Sequence, residues 1–94
     1  MDGVKTLTIP LKAIYFNQIK AGTKTQEFRL CTPHWRKRLE GKTYDFVIVT
    51  SGYPARDDTE RRMTLPWFGY EVKTIQHEHF GPVPVEVFAI NLRA

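Results

Sequence analysis

The apolar stretch at residues 44–50 constrains the fold more than any other part of this sequence, because Phe46, Val47, Ile48 and Val49 follow one another without a polar residue. Aromatic and β-branched residues of this kind favour a strand. Apolar side chains on both faces are typical of a strand that neighbouring elements cover on both sides. Residues 44–50 are therefore predicted to form the central strand of a sheet.

Four further segments alternate apolar and polar residues in the manner of strands. These segments are residues 4–9, 23–30, 63–76 and 85–92. Pro66 predicts an edge or a bend near the start of the third segment, because proline has no N–H for a sheet ladder. The polar residues 51–62 are expected to form a long exposed loop, and residues 81–84 a turn. The last strand is expected to close the sheet.

Two helices are predicted from start signals. Pro10 ends the first strand and, because proline suits a first helical turn, opens a helix over residues 11–21. The face of this helix that is expected to pack against the core consists of Leu11, Ile14, Tyr15, Gln18 and Ile19. Thr32 followed by Pro33 is typical of a helix start, and a short basic helix is expected over residues 35–40.

The order of these elements, β-α-β-α-β-β-β, describes one α+β domain that spans residues 1–94. Five strands in so short a chain favour a small β-barrel, accompanied by the two short helices. Hydrophobic residues make up 41% of the sequence, which is enough for a core and excludes the disordered class.

No segment has the character of a membrane span or a secretion signal. The longest apolar run, residues 46–49, is far too short to cross a bilayer, and residues 1–10 lack the apolar core of a signal peptide. The one cysteine, Cys31, cannot form an internal disulfide, and a lone thiol suits the reducing cytoplasm. We therefore expect a cytoplasmic protein with no membrane partner.

The positive charge is concentrated in the first half of the chain. Residues 1–47 hold nine basic and four acidic side chains, a net charge of +5, whereas residues 48–94 hold five and six, a net charge of −1. Since a basic surface attracts anions, a negatively charged partner such as a nucleic acid is expected to meet the first half.

Polar residues gather at meaningful spacings just after the first predicted helix. In a regular strand Lys24 and Glu27 face opposite sides, while Glu27 and Arg29 share one side. A bulge or bend after Gly22 would bring Lys24 and Glu27 together, since Lys24 stands at the very start of the strand. The alternative is a salt bridge between Glu27 and Arg29 on a solvated face, which contributes little to stability.

This segment resembles the ASCH domain family. Gly22, Lys24, Glu27 and Arg29 match the family's Gly-x-Lys-x-x-Glu-x-Arg signature, which follows an amphipathic helix as it does here, and the resemblance covers residues 4–92. It implies a PUA-like β-barrel. It also implies a cleft in which Lys24, Glu27 and Arg29 meet RNA or a modified nucleobase, and a role in RNA metabolism.

The resemblance also raises a hydrolase alternative, in which Lys24 and Glu27 are the candidate catalytic residues. Some ASCH relatives are ribonucleases, and a bacterial subgroup hydrolyses N4-acetylcytidine with a threonine nucleophile three residues after the lysine. Glu27 occupies that position here. A carboxylate can act as a base or orient water, but it does not replace the hydroxyl in acyl transfer. Thr25 is expected to point to the other face.

The candidate binding residues form a wider set around this signature. They are Arg29, Lys20, Thr25, Tyr15, Ser51, Tyr53, Arg36 and Lys37. The last two are basic neighbours of Trp35, which suits contact with phosphates, while Trp35 itself is expected to be buried with Leu39. Ser51 and Tyr53 leave the central strand at an end where clefts are often lined.

Two further interpretations are weighed against simpler ones. His77 and His79 resemble metal ligands in type, but without a third ligand nearby a solvated strand end is expected, with no metal or other cofactor. A protein-interaction module is the remaining alternative, and it would expose a flat apolar patch around Trp67 and Phe68. A monomer is favoured, although nothing in the sequence determines the oligomeric state.

Overall fold

The alternating patterns of the sequence form six strands and two helices in a computed structural model, which describes residues 3–93. The strands are β1 (Thr6–Leu11), β2 (Gln26–Leu30), β3 (Phe46–Ser51), β4 (Arg62–Pro66), β5 (Tyr70–Ile75) and β6 (Val85–Asn91). The helices are α1 (Ala13–Lys20) and α2 (Pro33–Leu39), and single 3-10 turns lie at Thr59–Arg61 and Glu78–Phe80. The α+β class is thereby confirmed.

The strands form two separate sheets of three. In the first sheet β3 lies between β1, to which it is parallel, and β4, to which it is antiparallel. In the second, β6 lies between β2 and β5 and is antiparallel to both. The predicted central position of β3 is confirmed. No closed barrel is found within residues 3–93, so the predicted barrel stays a prediction.

The single strand predicted over residues 63–76 is instead two strands in different sheets, which is why six strands are found and not five. β4 ends at Pro66, and the chain then turns through residues 67–69 to enter the second sheet as β5. Gly69 adopts a φ of 76°, a backbone conformation that residues with a Cβ rarely adopt. The bend predicted from Pro66 therefore carries the chain from one sheet to the other.

The predicted start and buried face of the first helix are partly wrong. Pro10 and Leu11 belong to β1, an edge strand where a missing N–H is tolerated, so α1 begins only at Ala13. Phe16 and Ile19 are the buried residues of α1, whereas Ile14 is 60% exposed. Residues three positions apart share a helix face, and the inward face is the one that carries Phe16 and Ile19, because Leu11, which belongs to β1, does not help to define it.

The second helix follows its predicted start signal. The Thr32 hydroxyl accepts a hydrogen bond from the Trp35 N–H at 3.3 Å, and Pro33 occupies the first turn. Leu39 is fully buried, and Trp35 is half-buried against the core, as the four-residue spacing predicts. No helix within residues 3–93 has both the length and the apolar character needed to cross a bilayer.

One core lies between the two sheets and the helices. Its buried members are Leu7, Ile9, Leu11, Phe16, Ile19, Leu39, Val47, Val49, Leu65, Phe88, Ile90 and Leu92. The strand buried on both faces is β6, where residues 87–90 are all buried, and not β3, where Phe46 is 39% exposed. The expectation that the last strand closes the sheet is also wrong, because β6 is the central strand of the second sheet.

We expect Gly69→Ala to lower the free energy of unfolding by about 1–2 kcal/mol, the penalty of the left-handed conformation for a residue with a Cβ. Apart from Gly69 and its two chain neighbours, no heavy atom of residues 3–93 lies within 4 Å of the position that a Cβ at Gly69 would occupy, so the loss is conformational and not steric. Urea denaturation measures it. Gly3→Ala is the control, since that site is equally open and its φ is not positive. Equal effects of the two substitutions would contradict the role given to Gly69.

Candidate functional site

A cleft of about 270 Å³ opens between the two sheets. Its walls come from the end of β1, the start of α1, β2 with the segment that leads into it, and the turn between β5 and β6. The ionisable side chains that line it are Lys12, Lys24, Glu27, Arg29, His77 and His79. Tyr15, Phe28 and Phe80 add three aromatic rings. A pocket of this composition, with a few polar groups among rings, is typical of a small-molecule site.

Glu27 is the buried charge of the cleft, with only 4% of its surface exposed. Its carboxylate accepts a hydrogen bond at Oε2 from Nη1 of Arg29, and Lys24 Nζ lies 3.6 Å from Oε1. The structure thus brings the three signature side chains together. The alternative prediction, a salt bridge between Glu27 and Arg29 on a solvated face, is right about the pair but wrong about the face, because the carboxylate is buried.

The segment after α1 explains how Lys24 reaches Glu27. β2 begins only at Gln26, so Lys24 lies outside the strand and the alternation of strand faces does not apply to it. Gly22 has a φ of 82°, and the N–H groups of Thr23 and Lys24 both donate to the carbonyl of Gln18, at 3.0 and 3.2 Å. The predicted bend after Gly22 is confirmed.

The Lys24 ammonium is held between two rings as well as beside Glu27. Nζ lies 5.2 Å from the ring centroid of Tyr15 and 5.0 Å from that of Phe28. Both distances are within the range of a cation–π interaction. The side chain is only 18% exposed, so the ammonium lies inside the cleft and not in bulk solvent.

Arg29 connects the two sheets. Besides Glu27, its guanidinium donates to the backbone carbonyls of Pro10, at 2.8 Å, and Phe28, at 3.2 Å. Pro10 belongs to β1 in the first sheet, whereas Arg29 belongs to β2 in the second. The guanidinium also lies 5.5 Å from the Trp35 ring. These contacts engage the planar fork of donors that distinguishes arginine from lysine.

The two oxygens of Glu27 differ in their hydrogen bonds. Oε1 has no hydrogen-bond donor among residues 3–93, since Lys24 at 3.6 Å lies beyond hydrogen-bond distance. Within the same residues, every fully buried polar side-chain atom has a hydrogen-bond partner. Oε1 is therefore not fully buried, and it offers lone pairs to a ligand.

The fourth wall of the cleft is the turn at residues 77–80, which the sequence did not predict as part of the site. His77 and His79 were expected at a solvated strand end, but both line the cleft beside Phe80. The His79 ring meets the Tyr15 ring edge-on at 6.3 Å. The sequence signal for this wall is weak and consists of three ring-bearing residues within four positions. The wall depends instead on tertiary structure, because β6 pairs with both β5 and β2 and so brings the turn close to β2 from about 50 residues away. No group of three or more metal-ligating side chains is found in residues 3–93.

Four of the predicted site residues line the cleft, namely Tyr15, Lys24, Glu27 and Arg29, and six do not. The six outside it are Lys20, Thr25, Ser51, Tyr53, Arg36 and Lys37. Tyr53 is 92% exposed on the loop that follows β3. Arg36 is engaged elsewhere, with Glu40 at 3.1 Å and Glu86 at 3.6 Å. A position in the basic first half of the sequence is thus not enough to place a basic residue at the cleft.

The remaining candidates also lie elsewhere. Trp67 is half-buried and packs edge-on against Tyr44, with ring centroids 5.1 Å apart, so only Phe68 of the predicted apolar patch is exposed. Cys31 does not line the cleft, and burial, followed by the charge of Glu86, raises the pKa of its thiol.

Comparison with known proteins adds no further information. No protein-family model, curated protein or solved structure matches the chain. We therefore infer the function from the residues of the cleft and from the chemistry that they can perform.

We expect Arg29→Lys to lower the free energy of unfolding by about 1–3 kcal/mol although it keeps the positive charge. A lysine cannot hold Glu27 and the Pro10 carbonyl at the same time with the geometry of a guanidinium. Thermal and urea unfolding measure the loss. Arg61→Lys is the matched control, because Arg61 is 67% exposed and its one ion pair within residues 3–93 is with Asp58 at 3.7 Å. An Arg29→Lys protein as stable as the control would reject the structural role of Arg29.

Proposed function

We propose that this protein binds a nucleoside, either unattached or within single-stranded RNA, as an ASCH domain that acts in RNA metabolism. The observation that carries the proposal is the Glu27 carboxylate, which is buried between two cations, accepts no hydrogen bond at Oε1 within residues 3–93, and lines a cleft walled by rings. In this proposal the two sheets, which share one core, are the counterpart of a PUA-like barrel.

Glu27 and Lys24 together suit the edge of a nucleobase. A carboxylate oxygen accepts hydrogen bonds from the exocyclic amino groups of cytosine, adenine and guanine, and uracil has no such group. Lys24 Nζ, 3.6 Å from Oε1, can donate to a carbonyl or ring nitrogen beside that amino group. A donor next to an acceptor is the pattern needed to read a base.

The rings of the cleft suit the face of a nucleobase. Unpaired bases bind proteins by stacking on aromatic side chains, and Tyr15, Phe28 and Phe80 all line the cleft. The cleft volume of about 270 Å³ lies near the lower end of the roughly 300–1,000 Å³ that is usual for small-molecule sites. A single unpaired nucleoside therefore fits the cleft better than a paired helix does.

Binding is favoured over the acetylcytidine hydrolase alternative by the residues that line the cleft. Acyl transfer by that route needs an activated hydroxyl nucleophile. Within residues 3–93 no serine or threonine lines the cleft, and Thr25 is exposed outside it. The pairing of Lys24 with Glu27 leaves general-base activation of water open, but it supplies no hydroxyl of the kind that the acetylcytidine route uses.

We expect Glu27→Gln to weaken the binding of amino-bearing nucleosides by about tenfold or more, because it removes the charge that accepts the amino group. Isothermal titration with cytidine, adenosine, guanosine, uridine and N4-acetylcytidine measures the affinity, and uridine is expected to bind most weakly. Glu71→Gln is the matched control, since Glu71 also contacts a lysine, Lys73 at 3.4 Å, but lies outside the cleft.

If Glu27→Gln fails to fold, Tyr15→Leu tests the same site by removing a stacking ring while keeping an apolar side chain. Thermal melting of each variant establishes that it is folded before titration. The proposed function is rejected if the wild type binds none of the five nucleosides, or if Glu27→Gln and Glu71→Gln bind them equally well.

The wild-type protein is expected to release no acetate from N4-acetylcytidine. The reason is that a carboxylate occupies the position of the nucleophilic hydroxyl, and no serine or threonine of residues 3–93 lines the cleft in its place. Chromatographic separation of cytidine from its acetylated form, after overnight incubation, checks this. Enzyme-dependent formation of cytidine would contradict the preference for binding.

A further inference from the structure

We propose that the ligand of the cleft is a nucleotide and not an uncharged nucleoside, with its phosphate held at the mouth by Lys12, His77 and His79. This inference rests on the proposed function, since it assigns the base to Glu27. It adds the charge of the ligand and three residues for which the signature segment gives no role.

The first argument is the balance of charge in the cleft. Three cations, Lys12, Lys24 and Arg29, line it with a single carboxylate, Glu27. Lys24 and Arg29 both contact that carboxylate, whereas Lys12 makes no ion pair within residues 3–93. The cleft therefore carries a surplus of positive charge that Glu27 cannot neutralise, and a ligand with a phosphate would balance it.

Second, the charged side chains of the cleft lie at different depths below the surface. Glu27 is only 4% exposed, whereas Lys12 and His79 are exposed, so the carboxylate lies at the floor and these two side chains at the mouth. The backbone of Lys12 is fixed, because its carbonyl accepts hydrogen bonds from the N–H groups of Tyr15 and Phe16, both at 3.0 Å. A nucleotide has the same polarity, with a base at one end and a phosphate at the other.

The third argument is the set of imidazole donors at residues 77–79. His77 Nδ1 accepts a hydrogen bond from the His79 N–H at 3.0 Å, which assigns the proton of a neutral His77 ring to Nε2. That nitrogen is a donor whether the ring is neutral or protonated. The His79 ring nitrogens have no hydrogen-bond partner within the part of the chain that the structure describes. Phosphate oxygens accept from donors of this kind.

The test compares nucleosides with nucleotides on the wild type. Titration with the four nucleosides and their 5′-monophosphates is expected to show about tenfold tighter binding of the monophosphate, the gain from a charge-assisted contact. Lys12→Gln is expected to reduce this preference to less than about threefold. His79→Phe keeps a ring beside Tyr15, removes the donors, and should also reduce the preference.

Lys5→Gln is the matched control for Lys12→Gln. Lys5 immediately precedes β1 and Lys12 immediately follows it, so the two lysines lie roughly 23 Å apart along an extended strand. Lys5 does not line the cleft. Equal losses in the two variants would mean diffuse attraction by the basic surface and would overturn the assignment to Lys12.

The outcomes separate this inference from the proposed function. If nucleosides bind, Glu27→Gln weakens them and the monophosphates bind no more tightly, the nucleotide inference fails and the proposed function stands. If the monophosphates bind through Lys12 but Glu27→Gln has no effect, the phosphate site stands and the proposed base site fails. If neither class of ligand binds the folded wild type, both fail.

The phosphate can belong to an unattached nucleotide or to an RNA strand, and one further arm separates the two sources. A dinucleoside monophosphate presents an internal diester with the same bases. Lys12-dependent binding of this diester as tight as that of the monophosphate supports the phosphate site and identifies a strand as its source. Lys12-dependent binding of the monoester alone supports the site and identifies an unattached nucleotide.

Discussion

The contact between Arg29 and Glu27 holds together both the fold and the cleft. A carboxylate that is 4% exposed is unfavourable unless a cation and hydrogen bonds compensate its lost hydration, and the Arg29 guanidinium supplies both. The same guanidinium binds the carbonyl of Pro10 in the other sheet. A single side chain therefore neutralises the buried charge and links the two sheets. The cleft opens beside these contacts, since Pro10, Glu27 and Arg29 all line it.

The walls of the cleft differ in burial, since one is a paired strand on a buried neighbour and another is a more exposed turn. β2 is paired along its length with β6, whose residues 87–90 are all buried, so Glu27 stands on the best-packed part of the second sheet. The opposite wall is the turn at residues 77–80, which contains no buried residue. Sites that combine a preorganised floor with a more exposed rim bind the recognised group firmly and still admit it from solvent.

The sequence predicted the parts of the fold that depend on local signals. Thr32 and Pro33 predict the start of α2, because helix capping and proline geometry involve only neighbouring residues. The apolar run in β3 predicts a central strand, although β6 is the strand covered on both faces, because coverage is decided by tertiary packing. The exchange of sheets at Gly69 was not predictable from alternation, which continues through residues 63–76 while the strand partners change.

The candidate site divides in the same way. Lys24, Glu27 and Arg29 lie within six residues, so their spacing and the bend after Gly22 indicated a common cleft before any strand pairing was known. His77 and His79 lie about 50 residues away, and only the pairing of β5 and β2 on either side of β6 brings their turn to the cleft. Composition could not select between Arg36 and Lys12 either, because both are basic and only their contacts differ.

The two cations beside Glu27 are chemically different, and this difference decides which of them can serve a ligand. The donors of Arg29 are engaged by Glu27 and two backbone carbonyls, so moving Arg29 toward a ligand would break contacts between the sheets. Lys24 makes no hydrogen bond to Glu27 at 3.6 Å and is held mainly by the rings of Tyr15 and Phe28, on a flexible stem. Under the proposed function, Lys24 can therefore turn from Oε1 to a base without breaking contacts between the sheets, whereas Arg29 keeps the carboxylate in place.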